Sequence, residues 1–144
     1  RLIPKNPNWK LKDSPREQLS RIDFDAVYIG SVHDGYWMLR FWESGQVKTF
    51  DTPDYDDWKI MIGEEGGTAG YFSLRTNGEI QIEYMSPSAQ GSYAIAKGMV
   101  EENGEISIEA IQYRGRRFYE YQTVLVPEIE IDSMNRDWHW SPNW

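Results

Sequence analysis

Arg40 lies in the middle of the run Tyr36-Trp37-Met38-Leu39-Arg40-Phe41-Trp42. Alternation along a strand puts Tyr36, Met38, Arg40 and Trp42 on one face and Trp37, Leu39 and Phe41 on the other. Both faces are apolar apart from the arginine, so the run reads as a strand buried on two sides. A guanidinium held there has to be answered. If its face points into a cavity, the answer is a ligand with an anionic or planar polar group. Otherwise Arg40 pairs with an internal acid or stacks on Tyr and Trp. A later run sets Tyr119, Tyr121, Thr123 and Leu125 on one face, and another sets Tyr93 beside Ile95, Lys97 and Met99. With Trp58 these give a candidate ligand site of Tyr36, Met38, Arg40, Trp42, Trp58, Tyr93, Tyr119 and Tyr121. Tyrosines, a methionine and a charged tip are what a small-ligand pocket offers. A packed barrel interior made of the same residues reads no differently.

Other chemistry is sparse. Asp51, Asp54, Asp56 and Asp57 cluster without the spacing of a calcium loop. Three of them suit the first turn of a helix, where the dipole favours acids. His33 and His139 are the only histidines, too few for a three-histidine metal site. With no cysteine, disulfides, thiolate metal sites and thiol nucleophiles are excluded. No nucleophile-elbow pattern occurs. No catalytic residue, metal ligand or cofactor is therefore read, and an enzyme would need an unrecognised carboxylate-based site. The balance of 15 basic and 23 acidic residues, net −8, argues against a nucleic-acid surface. It suits solubility or a basic protein partner. No apolar run approaches the ~20 residues of a membrane-spanning helix. The start at Arg1-Leu2-Ile3, without Met or a signal-type apolar stretch, reads as a removed leader or an engineered start. Compartment stays open, with a cell-envelope or secreted location slightly favoured over the cytoplasm.

These residues must be positioned by strands. His33-Asp34-Gly35, Glu43-Ser44-Gly45-Gln46, Thr76-Asn77-Gly78-Glu79, Glu102-Asn103-Gly104-Glu105 and Tyr113-Arg114-Gly115-Arg116 separate apolar or aromatic runs. Such signals mark tight hairpins. The strands they delimit are 24–32, 36–42, 46–51, 70–75, 79–84, 91–101, 104–113 and 116–126. Alternation is clearest at Glu79-Ile80-Gln81-Ile82-Glu83-Tyr84, and its break at Ala110-Ile111 predicts a β-bulge or a second buried face. Eight sequential strands would expose two edges in an open sheet, and closure removes both. The fold class expected is all-β: an eight-stranded antiparallel up-and-down meander barrel with one or two short helices.

A capping box at Ser14-Pro15-Arg16-Glu17 predicts a helix over about 15–21. Thr52-Pro53-Asp54, with Tyr55, Trp58 and Ile62 at helical spacing and Gly63 as a stop, predicts a second. The long 52–69 connection is the natural lid, with the glycine-rich stretch 64–69 its most mobile part. The 144 residues fit one domain, 1–144, with an N-terminal extension over 1–23 and a Trp-rich tail over 127–144. Trp138, Trp140 and Trp144 predict docking of that tail on the barrel, over its mouth, or contact with a protein partner.

The segment Tyr36-Trp37-Met38-Leu39-Arg40-Phe41-Trp42-Glu43-Ser44-Gly45-Gln46-Val47 resembles the aromatic-rich hairpin of lipocalin-like small barrels, Leu39, Arg40, Phe41, Trp42, Gly45 and Val47 matching. Gly70-Tyr71-Phe72-Ser73-Leu74 and Tyr93-Ala94-Ile95-Ala96-Lys97-Gly98 fit the same rhythm, so the resemblance spans roughly 24–126. It implies the calycin-type barrel more than any one function, because that barrel hosts carriers, enzymes, inhibitors and adaptors. The leading expectation is a non-catalytic binding protein with an apolar or amphipathic small molecule in a barrel cavity. The alternative is a protein-interaction module, such as an inhibitor or immunity-type protein with an acidic surface.

Overall fold

Turn chemistry sets the frame. Gly78 and Gly104 hold φ at 86° and 87°, the left-handed values that Asn-Gly turns require, and Asp34 takes φ 64° in the first hairpin. The computed structural model describes residues 16–63, 65–86, 92–113, 116–131 and 140–144. A short helix α1 (Arg16–Leu19) precedes the strands; Ser14 and Pro15 of the expected capping box lie outside the described residues. The strands are β1 (Ala26–Val32), β2 (Gly35–Phe41), β3 (Gln46–Thr52), β4 (Thr68–Leu74), β5 (Glu79–Ser86), β6 (Ser92–Val100), β7 (Ile106–Tyr113) and β8 (Tyr119–Glu130). Between β3 and β4 come a 3-10 turn (Tyr55–Asp57) and helix α2 (Trp58–Ile62).

Each strand pairs antiparallel with the next, and β1 pairs antiparallel with β8, so the sheet is a closed eight-stranded barrel. The register shifts near the expected break in β7, between Ile108 and Ala110 against β8. It shifts again on β6 between Lys97 and Gly98, where a Cβ on Gly98 would collide with the Ser107 carbonyl. Close backbone approach at a bulge is where a strand needs glycine.

The inward register is fixed by the main core. Tyr28, Trp37, Leu39, Phe41, Val47, Phe72, Ile80, Ile82, Ala94, Ala96, Ile106, Ile108 and Leu125 all belong to it. Large rings from β1, β2 and β4 fill one half: Tyr28 meets Phe41 at 5.2 Å and Phe41 meets Phe72 at 5.1 Å between ring centres. That end is plugged from below. Ile22 is buried in the core, and Leu19 and Phe24 pack against it. Arg21 donates to the Val100 carbonyl, and the Asp23 amide donates to the Tyr28 hydroxyl at 2.9 Å.

A second apolar cluster lies on the outer wall. Val27, Ile29 and Met38 face outward there and are covered by Met61 and Ile62 of α2 and by Ile131. The 52–69 connection therefore does not close the barrel as a lid. Its helix lies along the outside of β1, β2 and β3, because those strands present a second apolar face that must be covered. Asp54, rather than Thr52, caps the turn that leads into it, accepting from the Asp56 amide at 3.0 Å. Gly63 ends the helix, as the sequence predicts.

Candidate functional site

Two groups of polar and aromatic side chains stand out, one on the outer wall and one at the end of the barrel opposite the plug. On the wall, Arg40 and Lys48 are register partners on β2 and β3, both buried. Lys48 Nζ donates to the carbonyls of Ile60, Gly63 and Glu65 at 2.6, 2.7 and 2.9 Å. Arg40 Nη1 donates to the Ile62 carbonyl at 2.9 Å. The two cations thus satisfy the last carbonyls of α2, where the helix dipole favours positive charge. Burial pushes the Arg40 pKa down to about 10, opposed by the Asp25 carboxylate, so the guanidinium stays charged at neutral pH.

Tryptophans seal this group. The Arg40 guanidinium lies 4.7 Å from the Trp42 ring centre and 5.7 Å from that of Trp140. Trp42 and Trp140 are 4.9 Å apart, and Trp140 Nε1 donates to the Ile62 carbonyl at 2.7 Å. Trp144 Nε1 donates to the Gly70 carbonyl at 3.0 Å, while Tyr71 and Gln46 donate to the Trp144 carbonyl at 2.8 and 2.7 Å. The end of the tail is docked on the wall, away from the mouth. Trp138 and His139 lie outside the described residues.

The mouth is different in kind. Going up the barrel from the plug, the inward register passes from Phe41, Phe72, Leu74 and Val100 to Thr49, Thr68 and Thr123, and then to Trp37, Asp51, Tyr84, Tyr113, Tyr119 and Tyr121. Trp37 and Tyr84 rings are 5.6 Å apart. Tyr113 and Tyr119 are stacked at 5.9 Å, and Tyr119 meets Tyr121 edge-on at 6.4 Å. Burial, reinforced by neighbouring phenols, pushes the Tyr84, Tyr119 and Tyr121 hydroxyls up, so all three stay neutral. Asp51 is open to solvent on one side, yet the surrounding protein desolvates it and raises its pKa. Its carboxylate has no hydrogen-bond or ion-pair partner among the described residues. A cleft of about 340 Å³ opens here, with Asp51, Tyr121, Tyr36, His33, Asp34 and Pro53 in its walls.

The sequence-predicted site residues are thus divided. Tyr121 faces inward at the mouth, Tyr119 takes the inward register opposite Ile111 but is 42% exposed, and Tyr36 joins Tyr121 in the cleft from the rim. Met38, Arg40 and Trp42 stand outside the barrel beneath α2 and the tail, and Trp58 packs on that same wall. Tyr93 lies on the outer side of β6, half-buried, because Ala94 and Ala96 take the inward register. Sequence reasoning missed Trp37, Asp51, Tyr84 and Tyr113. The alternation Ile80, Ile82, Tyr84 carried the signal for one of them, and the pairing of Trp37 with Asp51 carries it for two more. Among the described residues no group of three or more His, Asp or Glu side chains converges to hold a metal ion. No helix among them is long and apolar enough to cross a membrane. Compared with known proteins, the chain matches no family model, no curated protein and no solved structure.

Proposed function

We propose that this is a barrel of the lipocalin-like, calycin type and that it binds a small molecule at its mouth without chemistry of its own. The observation that carries the reading is the gradient along the interior. The plugged half is filled with rings in contact, whereas the other half ends in hydroxyls, phenols and a carboxylate beside a cleft of about 340 Å³. Binding sites are concave, largely aromatic and carry a few converging polar groups. Asp51 supplies the charged group on the wall of that cleft. The sequential meander, closed between β1 and β8 and stoppered by residues 19–24, supports the calycin type.

The test is an amide NMR screen with small neutral and charged aromatic fragments. Saturable shifts are expected at Trp37, Asp51, Tyr84 and Tyr121, with Leu74 and Val100 at the plugged end unmoved. Shifts confined to the outer wall, or none at all, would sink the reading. A protein-interaction role draws on a separate observation: Val124 and Val126 are 47% and 38% exposed along β8, between the exposed acids Glu120 and Glu128. A basic protein that shifts residues 118–126 and leaves Trp37 and Tyr84 untouched would favour that role instead.

A further inference from the structure

Of the ligand classes a barrel mouth could take, the side chains here select by charge. We propose that the mouth receives an organic ammonium ion, with Asp51 as its counter-charge and the rings of Tyr36 and Tyr121, which line the cleft beside it, as its aromatic wall. This rests on the mouth being the ligand site and adds what kind of ligand it takes.

Among the described strand residues, Asp51 is the one charged side chain in the inward register at the mouth; Glu130, opposite Ala26, shares that register at the plugged end. It sits across from Trp37 in the β2–β3 ladder and close enough to Tyr84 and Tyr121 to act on their hydroxyls electrostatically. The basic groups on the neighbouring strands and on the cleft wall are engaged elsewhere: His33 lies 3.3 Å from the Asp34 carboxylate. Arg40 and Lys48 project to the opposite side of the sheet and hold the end of α2. Neutral phenol and indole faces carry negative potential and attract a cation, most strongly where water is partly excluded. Carboxylate and rings together recognise a positive centre wrapped in carbon, because the rings take the hydrocarbon surface while Asp51 takes the charge. An anion meets the reverse: the Asp51 carboxylate and a chain with net charge −8. The cleft of about 340 Å³ has room for a small organic cation.

Choline and phenethylamine are the probes, each compared with its neutral isostere: the carbon analogue of choline and phenethyl alcohol. Titrations followed by NMR should show both cations saturating at Trp37, Asp51 and Tyr121, with each isostere weaker by about ten-fold or more. Asp51→Asn should erase that preference, weakening the cations while leaving the isosteres unchanged. Tyr121→Leu, which keeps Asp51, should weaken the cations and spare the fold, and its amide spectrum checks the latter. If cation and isostere bind the mouth equally, or Asp51→Asn leaves the preference intact, the ammonium inference is overturned and the mouth remains a ligand site. If neither probe nor isostere nor any neutral fragment shifts the mouth, both readings fall.

Discussion

Asp51 and Arg40 come from adjacent strands and are both ionisable, yet the fold treats them oppositely. Arg40 is held by the Ile62 carbonyl and by two indole rings. Arg40→Ala should therefore lower stability by about 1.5–3 kcal/mol, the scale of a charged hydrogen bond, and leave fragment shifts at the mouth unchanged. Denaturant titration paired with the NMR screen checks both halves; a stable variant with lost mouth binding would contradict the placement. Asp51 works against the fold. Desolvation holds its folded pKa above the unfolded one, so between those values the folded protein carries more protons than the unfolded chain. Stability then falls as pH rises through that window and stays lower above it. Asp51→Asn should raise the melting temperature near neutral pH, and the gain should shrink as pH falls below about 3.9, where the carboxyl becomes protonated in the unfolded chain as well. Melts of both proteins across that range decide it, and a loss at neutral pH would mean the carboxylate has a stabilising partner.

Helix α2 has five residues, too few to persist alone. It exists because strand side chains and the tail hold its carbonyls and those just past its end: Lys48 those of Ile60, Gly63 and Glu65, and Arg40 and Trp140 that of Ile62. Deleting residues 140–144 should speed amide exchange at Met61, Ile62 and Gly63 by roughly ten-fold or more, while β5 and β6 keep their protection, since such openings are local. Unchanged exchange at these amides would mean that the tail contributes nothing to the helix. The strands themselves were legible because their ends are written in turn chemistry, as at Asn77-Gly78 and Asn103-Gly104. The face of β2 was not. Period-2 alternation separates two sides, but with both sides apolar it does not say which is the lumen. The size of Tyr93, Ile95 and Met99 suggested an inward face for them. The interior instead takes Ala94 and Ala96 on β6, where the rings of other strands already fill the space. Asp51 was hidden for a related reason. In sequence it belongs with Asp54, Asp56 and Asp57, and only strand pairing separates it from them by turning it inward.

At the scale of the molecule, the barrel has a stoppered end and a receiving end, and the difference lies in what each strand contributes at the two ends. The stopper is local in sequence: residues 19–24 lead directly into β1. The closure is not. Ala26 pairs with Glu130 and Ile29 with Val126, so the first strand waits for the last. A chain emerging from the ribosome can form every hairpin from β1 to β7 and still have two raw edges, the outer sides of β1 and β7, with no partner for either. Pairings of such long sequence separation form slowly and expose the chain to misassembly until they do. The order of synthesis therefore places the decisive event at the end. Ribosome-bound chains of increasing length should remain open to protease until Tyr119–Glu130 has cleared the exit tunnel, and then become protected in a single step. Protection acquired while β8 is still inside the tunnel would mean that seven strands suffice, and that the last one merely covers what has already folded.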